Sequence, residues 1–181
     1  MRPSLVSKSK FLSLVLRHAP ETIGLVLDGH GWAQVADLLE KANQGKVALT
    51  IDELLEIVET NEKKRFELSP DDERIRAVQG HSIDVDLELS PTTPPATLYH
   101  GSAQQNLSGI RESGIQRGKR RYVHLSGDPE TALKVGARHG KPVLLCLDTA
   151  RLTQAGHLFC LSKNGVWLTD NVLPEFVTFP G

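Results

Sequence analysis

The chain has 181 residues, 39% hydrophobic and 24% charged, with 21 lysines and arginines against 22 aspartates and glutamates. That balance excludes a protein that coats nucleic acid through bulk positive charge, and no apolar run reaches the ~20 residues a membrane-crossing helix needs. Residues 1–90 carry a net −5 and residues 91–181 a net +4, so any nucleic-acid contact should rest on a few aimed arginines rather than on a basic surface.

The opening stretch, MRPSLVSKSKFLSLVLRH, places basic residues before apolar ones, as a signal peptide does. Ser13 breaks the apolar part, Arg17 and His18 close it, and no small-residue cleavage site follows, so it reads as an amphipathic helix of the mature protein. Phe11, Leu12, Val15 and Leu16 recur at helical spacing, and Pro20 stops the helix. Ile23 to Leu27 is a short apolar run closed by Asp28-Gly29-His30-Gly31, and Val35, Leu38 and Leu39 predict a second helix. Thr50 with Glu53 forms a capping-box pattern opening a third, whose inner face is expected to hold Leu54, Leu55 and Val58. Arg65–Leu68 and Ile75–Val78 alternate on either side of Ser69-Pro70-Asp71-Asp72, which predicts a β-hairpin. Helices followed by a hairpin make a winged-helix-like lobe the expectation for residues 1–90.

Pro91, Pro94 and Pro95 then mark a semi-rigid linker. Beyond it, strands alternate with short helices. Strands are expected at Leu98-Tyr99, Tyr122–Leu125, Val143–Leu147, Leu158–Leu161, Val166–Leu168 and Phe176–Phe179. Helices are expected at Leu107–Ile110, ended by Gly114, and after Asp128-Pro129-Glu130, where an N-cap precedes a first-turn proline. Residues 91–181 therefore form a second lobe, and the fold class is α+β. Cys146 and Cys160 lack metal-type spacing and read as buried thiols, and Trp32 and Trp167 read as core residues before base-stacking ones. No G-x-G-x-x-G occurs and no Cys/His cluster suggests a metal. The expected setting is cytoplasmic and the expected state a monomer, with no membrane partner.

Eight blocks then point one way: LVLRH, IGLVLDGHGWAQVADLL, RFEL, IRAVQGHS, LYHGS, YVHLS, VGARHGKPVLL and NGVWLTDNVLPEFV. In their order and spacing they resemble the RNA 2′-phosphotransferase family across nearly the whole chain. The resemblance implies an N-terminal RNA lobe (residues 1–90) and a C-terminal NAD lobe (residues 91–181) related to ADP-ribosyltransferases. It also implies the reaction. An internal RNA 2′-phosphate attacks C1″ of the NAD ribose and expels nicotinamide. The neighbouring ribose hydroxyl then attacks phosphorus, leaving a 2′-OH on the RNA and ADP-ribose 1″,2″-cyclic phosphate. NAD is a co-substrate, and no metal is required.

The resemblance carries the family's Arg-His-Arg-Arg quartet onto Arg17, His18, Arg65 and Arg120, with Arg121 as the alternative for the fourth. Arginine suits the task, because planar guanidinium forks bind phosphate oxygens two at a time. For an isolated Arg17-His18 pair, a plainer reading is that it complements a helix C-terminus, and Lys63-Lys64-Arg65 alone reads as a solvated run. His18 could donate to the phosphate or act as acid–base partner to the ribose hydroxyl. His100, Gly101 and Ser102, with His124, Leu125 and Ser126, resemble the ribose- and nicotinamide-binding strands of the ADP-ribosyltransferase group, although the family prefers threonine where Ser102 stands. Val172 is expected where many of those enzymes place a glutamate. Arg138 and Gly140 are candidate cofactor contacts, or else the basic end of a helix. Arg76, Gln79, His81 and Ser82 are expected to face the RNA. The competing readings are an ADP-ribosyltransferase that stops after the first step, and a winged-helix DNA-binding regulator with a ligand-sensing lobe. The acidic first half argues against the regulator.

Overall fold

The computed structural model describes residues 3–45 and 47–180. The chain divides into two compact units, one ending at Glu88 and the other beginning at Leu89. Leu89 belongs with the second because its carbonyl accepts from Cys160 Sγ at 3.5 Å and Pro91 bridges to Cys160.

In the first unit, α1 (Pro3–Arg17) is followed by strand β1 (Ala33–Gln34), helices α2 (Val35–Gln44) and α3 (Ile51–Thr60), and strands β2 (Phe66–Leu68) and β3 (Arg74–Ala77). Leu5, Leu12, Val15 and Leu16 of α1 have no exposed surface and pack with Leu38, Leu54, Ile57 and Ile75. Proline at position 20 prevents a continuation of α1, and the chain instead makes a single 3₁₀ turn over Pro20–Ile23 that Gly24 ends at φ +65°. The capping box at Thr50 and Glu53 is formed in both directions. The inner face of α3 is Leu54 with Ile57, and Val58 packs against the same core as expected, whereas Leu55 lies on the solvent side at 37% exposure. A three-residue step keeps one face of a helix, and a one-residue step leaves it. The hairpin of β2 and β3 forms with Phe66 opposite Ala77. The sequence did not suggest β1, which pairs antiparallel to β3 and completes a sheet of order β1-β3-β2.

The second unit holds two three-stranded antiparallel sheets. One has the order β4 (Thr97–Ala103), β6 (Pro142–Asp148), β9 (Val177–Thr178), and the other β5 (Val123–Leu125), β8 (Trp167–Thr169), β7 (Cys160–Leu161). Tyr99 and Ser126 exchange backbone hydrogen bonds of 2.8 Å, which ties β4 to the end of β5. Helices α4 (Leu107–Ser113), α5 (Pro129–Gly136) and α6 (Thr149–Gln154) lie between the strands. Asp128 caps α5 as its sequence suggests, accepting from the Thr131 amide. The short α6 was not expected; the Asp148 carboxylate opens it by accepting from the amides of Ala150 and Arg151. The expected strand at Leu158–Leu161 shrinks to two residues, with Leu158 66% exposed.

Glycine sets the spacing between α5 and β4. A Cβ on Gly101 would stand 1.6 Å from the Ala132 carbonyl oxygen, and one on Gly136 would stand 2.4 Å from that of Ser102. Both cysteines are free and only partly buried. Trp167 packs against the second core, as expected, but Trp32 lies outside the first. No helix among the described residues is long and apolar enough to cross a membrane.

Candidate active site

In the first unit the end of α1 meets the start of the hairpin. Arg17 Nη2 donates to the carbonyl of Arg65 at 3.2 Å, and its guanidinium lies 5.8 Å from the centre of the Phe66 ring. The carbonyl of Arg17 accepts from the Ser82 amide at 2.9 Å. Ser82 Oγ and His18 Nδ1 share a hydrogen bond, also of 2.9 Å. Arg65 donates to Oδ1 of Asn61, which is 2% exposed and donates in turn to Ser9 Oγ. Arg17, His18, Arg65 and Ser82 are thereby brought together.

Behind them sits His81, 3% exposed, whose two ring nitrogens have no hydrogen-bond partner among the described residues. Burial first, and then the charges of Arg17, His18 and Arg76, push its pKa down to about 4. It is a neutral imidazole and presents almost no surface to a ligand. Arg76 is 8% exposed and already occupied. It donates to Glu67 Oε1 at 2.6 Å and to the His30 carbonyl, and it stacks 4.4 Å over Trp32. Gln79 is half-buried, with Oε1 unpartnered among the described residues.

The second unit gathers His100, Arg120 and His124. Arg120 Nη1 donates to His124 Nδ1 at 2.9 Å. A guanidinium cannot accept, so His124 must be the acceptor at Nδ1, and its ring proton sits on Nε2. His100 Nδ1 lies 3.1 Å from the carbonyl of His124. A carbonyl cannot donate, so His100 carries a proton on Nδ1. Burial holds its pKa below the ordinary histidine value; the carbonyl contact raises it, and nearby Arg120 lowers it further. His100 is therefore neutral near pH 7 and offers Nε2 as an acceptor. The two rings are opposite tautomers. Arg120 is exposed as a residue, yet desolvation of its guanidinium, and next the charge of Arg138, lower its pKa from the usual arginine value.

The other candidates scatter in role. Ser102 is 6% exposed and its hydroxyl accepts from Asn106. Ser126 Oγ accepts from the Asp128 amide. Leu125 and Val172 are core side chains, 3% and 0% exposed, and Val172 pairs through its backbone with Ile115. Gly140 has φ +143° and lies against the Gln105 side chain. Arg138 and Gly140 are exposed, just past α5.

Trp32, read from the sequence as a core residue, lies beneath both Arg76 and Arg74. Sequence reasoning missed Asn61, which holds Arg65. It also missed Glu67. The hairpin register places Glu67 opposite Arg76, so that pair was the one with a readable signal. Among the described residues no group of three or more His, Cys, Asp or Glu is arranged to hold a metal ion.

This α+β chain matches the family described as RNA 2'-phosphotransferase, Tpt1 / KptA, over residues 3–171. Its relatives named "Probable RNA 2'-phosphotransferase" include one from Hahella chejuensis, 58% identical over 98% of this chain and 96% of that protein. Another, from Rhodopirellula baltica, is 54% identical over 97% and 96%, and one from Burkholderia pseudomallei is 51% identical over 96% and 94%. The chain belongs to the RNA 2′-phosphotransferase family.

Proposed function

We propose that the protein removes an internal 2′-phosphate from RNA using NAD as co-substrate. The observation that carries the reading is the tie between Arg17 and Arg65, 48 residues apart, with His18 and Ser82 beside them. The tie runs from the Arg17 guanidinium to the Arg65 backbone, and a set of two arginines and a histidine on such neighbouring stretches of chain fits a phosphate monoester, which carries about 1.5 to 2 negative charges near pH 7. Arg17, His18 and Arg65 hold the 2′-phosphate. It is already ionised, so no strong base is needed when one of its oxygens attacks C1″ of the NAD ribose. The glycosidic bond breaks, and nicotinamide leaves with the electron pair. In the second step the 2″-hydroxyl attacks phosphorus, the RNA 2′-oxygen departs and takes up a proton, and ADP-ribose 1″,2″-cyclic phosphate forms. Arg65 and Arg120 stabilise the charge that builds on the phosphoryl oxygens.

The residues of the second unit fit such a co-substrate. His100 Nε2 can accept from a ribose hydroxyl and His124 Nε2–H can donate to one, while Arg138 suits a pyrophosphate. Gly101 and Ser102 on β4 and Ser126 just past β5 are read as further contacts to the co-substrate. The first unit is read as a winged-helix-like RNA lobe, supported by its helices, its hairpin and the added strand β1. The second is read as an ADP-ribosyltransferase-like lobe. Gln79 and Ser82 serve the RNA side, with Arg76 and His81 acting from behind the contact surface.

The test is an RNA carrying one internal 2′-phosphate, incubated with NAD. Free nicotinamide and a 2′-OH junction are expected. Unchanged RNA in the presence of folded protein would defeat the proposal, and RNA left as an ADP-ribosyl conjugate would favour a transferase that stops after the first step.

A further inference from the structure

We infer that Arg117 and Asn171 are positioning residues for Arg120, an inference that rests on the reading of Arg120 as a group acting on the phosphoryl centre. The segment Gln116–Arg121 carries four cations, Arg117, Lys119, Arg120 and Arg121, around Gly118 at φ +61°. Mutual repulsion and a glycine would leave such a loop loose, and a loose arginine gives little rate enhancement. Preorganised donors stabilise developing charge because they need no reorganisation at the moment of reaction.

Three hydrogen bonds close this loop. The Arg117 amide donates to Asn171 Oδ1 at 2.9 Å, Arg117 Nη1 donates to the Arg121 carbonyl at 3.1 Å, and the Arg120 amide donates to the Arg117 carbonyl at 3.2 Å. The loop is anchored at its base as well. Ile115 and Val172 exchange backbone hydrogen bonds of 2.8 and 3.0 Å, and both side chains belong to the second core. Gly114 lies so close that a Cβ there would be 2.0 Å from the Val172 carbonyl oxygen. Asn171 adjoins Val172, so its acceptor is fixed to the core while it holds the base of an exposed loop.

This arrangement gives Arg117 a use other than binding substrate. Its guanidinium is bonded to the loop's own backbone, one residue beyond Arg120. The chain of contacts then runs from Asn171 through Arg117 to Arg120, and from Arg120 Nη1 to His124 Nδ1. Arg117→Ala keeps both backbone bonds of that chain and removes the guanidinium's bond to the Arg121 carbonyl, next to Arg120; losing that bond or the Asn171 acceptor should let Arg120 drift from His124. A misplacement of about 1 Å can cost on the order of 10²-fold in rate, and partial loss of order about tenfold.

The test is single-turnover conversion of 2′-phosphorylated RNA with NAD, resolving the ADP-ribosyl RNA from the final product. In Arg117→Ala and Asn171→Ala the second step should slow about tenfold and the intermediate should accumulate, with nicotinamide release and the KM for NAD within about twofold of the parent. Asn171→Asp keeps an oxygen acceptor and should restore the second step. The double variant Arg117→Ala/Arg120→Ala should be no slower than Arg120→Ala alone, because a residue that acts through Arg120 is non-additive with it. A parental second step in Arg117→Ala, equal slowing of both steps, or multiplied losses in the double variant would each overturn the inference while leaving the role of Arg120 intact. A parental second step in Arg120→Ala would instead remove the reading beneath it.

Discussion

The two units manage crowded positive charge in different ways. In the first, Arg17 and His18 are bonded to neutral groups, the Arg65 carbonyl and the Ser82 hydroxyl, and the nearby imidazole of His81 is buried and kept uncharged. In the second, the imidazole of His124 is itself the acceptor that holds the arginine. On the proposed reading the first cluster meets a doubly charged anion. The second holds one arginine beside two neutral imidazoles of opposite tautomer, a surface suited to hydroxyl groups. The same residue types, arginine and histidine, serve both clusters.

The largest expected effect separates the clusters by reaction step. Arg17→Ala should slow nicotinamide release, which reports the first step, by about 10²- to 10³-fold. Arg120→Ala should leave that release nearly intact and slow the disappearance of ADP-ribosyl RNA by a similar factor. Single-turnover kinetics following both species distinguish them. Equal losses in both steps for both variants would erase the division.

The scaffolds differ as well, and a pair of alanine substitutions sharpens the contrast. Gly101→Ala drives a methyl to 1.6 Å from a backbone carbonyl oxygen, so α5 must shift from β4, at a cost of about 3 kcal/mol. Gly31→Ala in the first unit meets nothing closer than 3.5 Å, and its φ of +80° should cost about 1 kcal/mol. Urea unfolding of the two variants provides the measurement, and a Gly101→Ala protein as stable as its parent would contradict the tight seat of α5.

Local chemistry was the legible part of this sequence. The stop after Arg17, the capping box at Thr50 and the Asp128-Pro129 start are written in adjacent residues, and the structure forms all three. Features that depend on partners far along the chain were not legible. Strand β1 is two residues long and exists because β3 lies beside it. Leu54 and Leu55 are the same residue type, and the helical phase alone buries the first and exposes the second. Among the site candidates, the chemical type of each residue could be read, but not its exposure: Val172 and His81 proved buried, and Arg120 exposed.

A smaller effect should appear in the pH dependence of stability. His81 has its pKa lowered from 6.5 to about 4 in the fold, by burial and by the facing charges of Arg17, His18 and Arg76. Between those values the unfolded chain binds more protons than the folded one, so stability falls as pH drops from 6.5 towards 4 and changes little from this group outside that window. The full span is worth at most about 3 kcal/mol. His100 is displaced in the same direction and adds to the trend. Urea unfolding between pH 4 and 8 should show a shallower loss on the acid side for His81→Leu than for the parent, and parallel curves would mean that His81 is not the group responsible.

The smallest effect concerns the hydroxyl that orients His18. Ser82→Ala removes the 2.9 Å bond to Nδ1 and keeps the Ser82 amide on the Arg17 carbonyl, so the backbone of the cluster should stand. One hydrogen bond of this kind contributes about 1 kcal/mol, which corresponds to about fivefold in rate. The imidazole would then rotate among positions, and the loss should fall on the rate constant, with the KM for NAD unchanged, because the His100 and His124 surface lies in the other unit. Ser82→Thr retains the hydroxyl and should recover most of the rate. If alanine and threonine behave alike, Ser82 matters through its amide alone, and the orientation of His18 must come from the bound RNA.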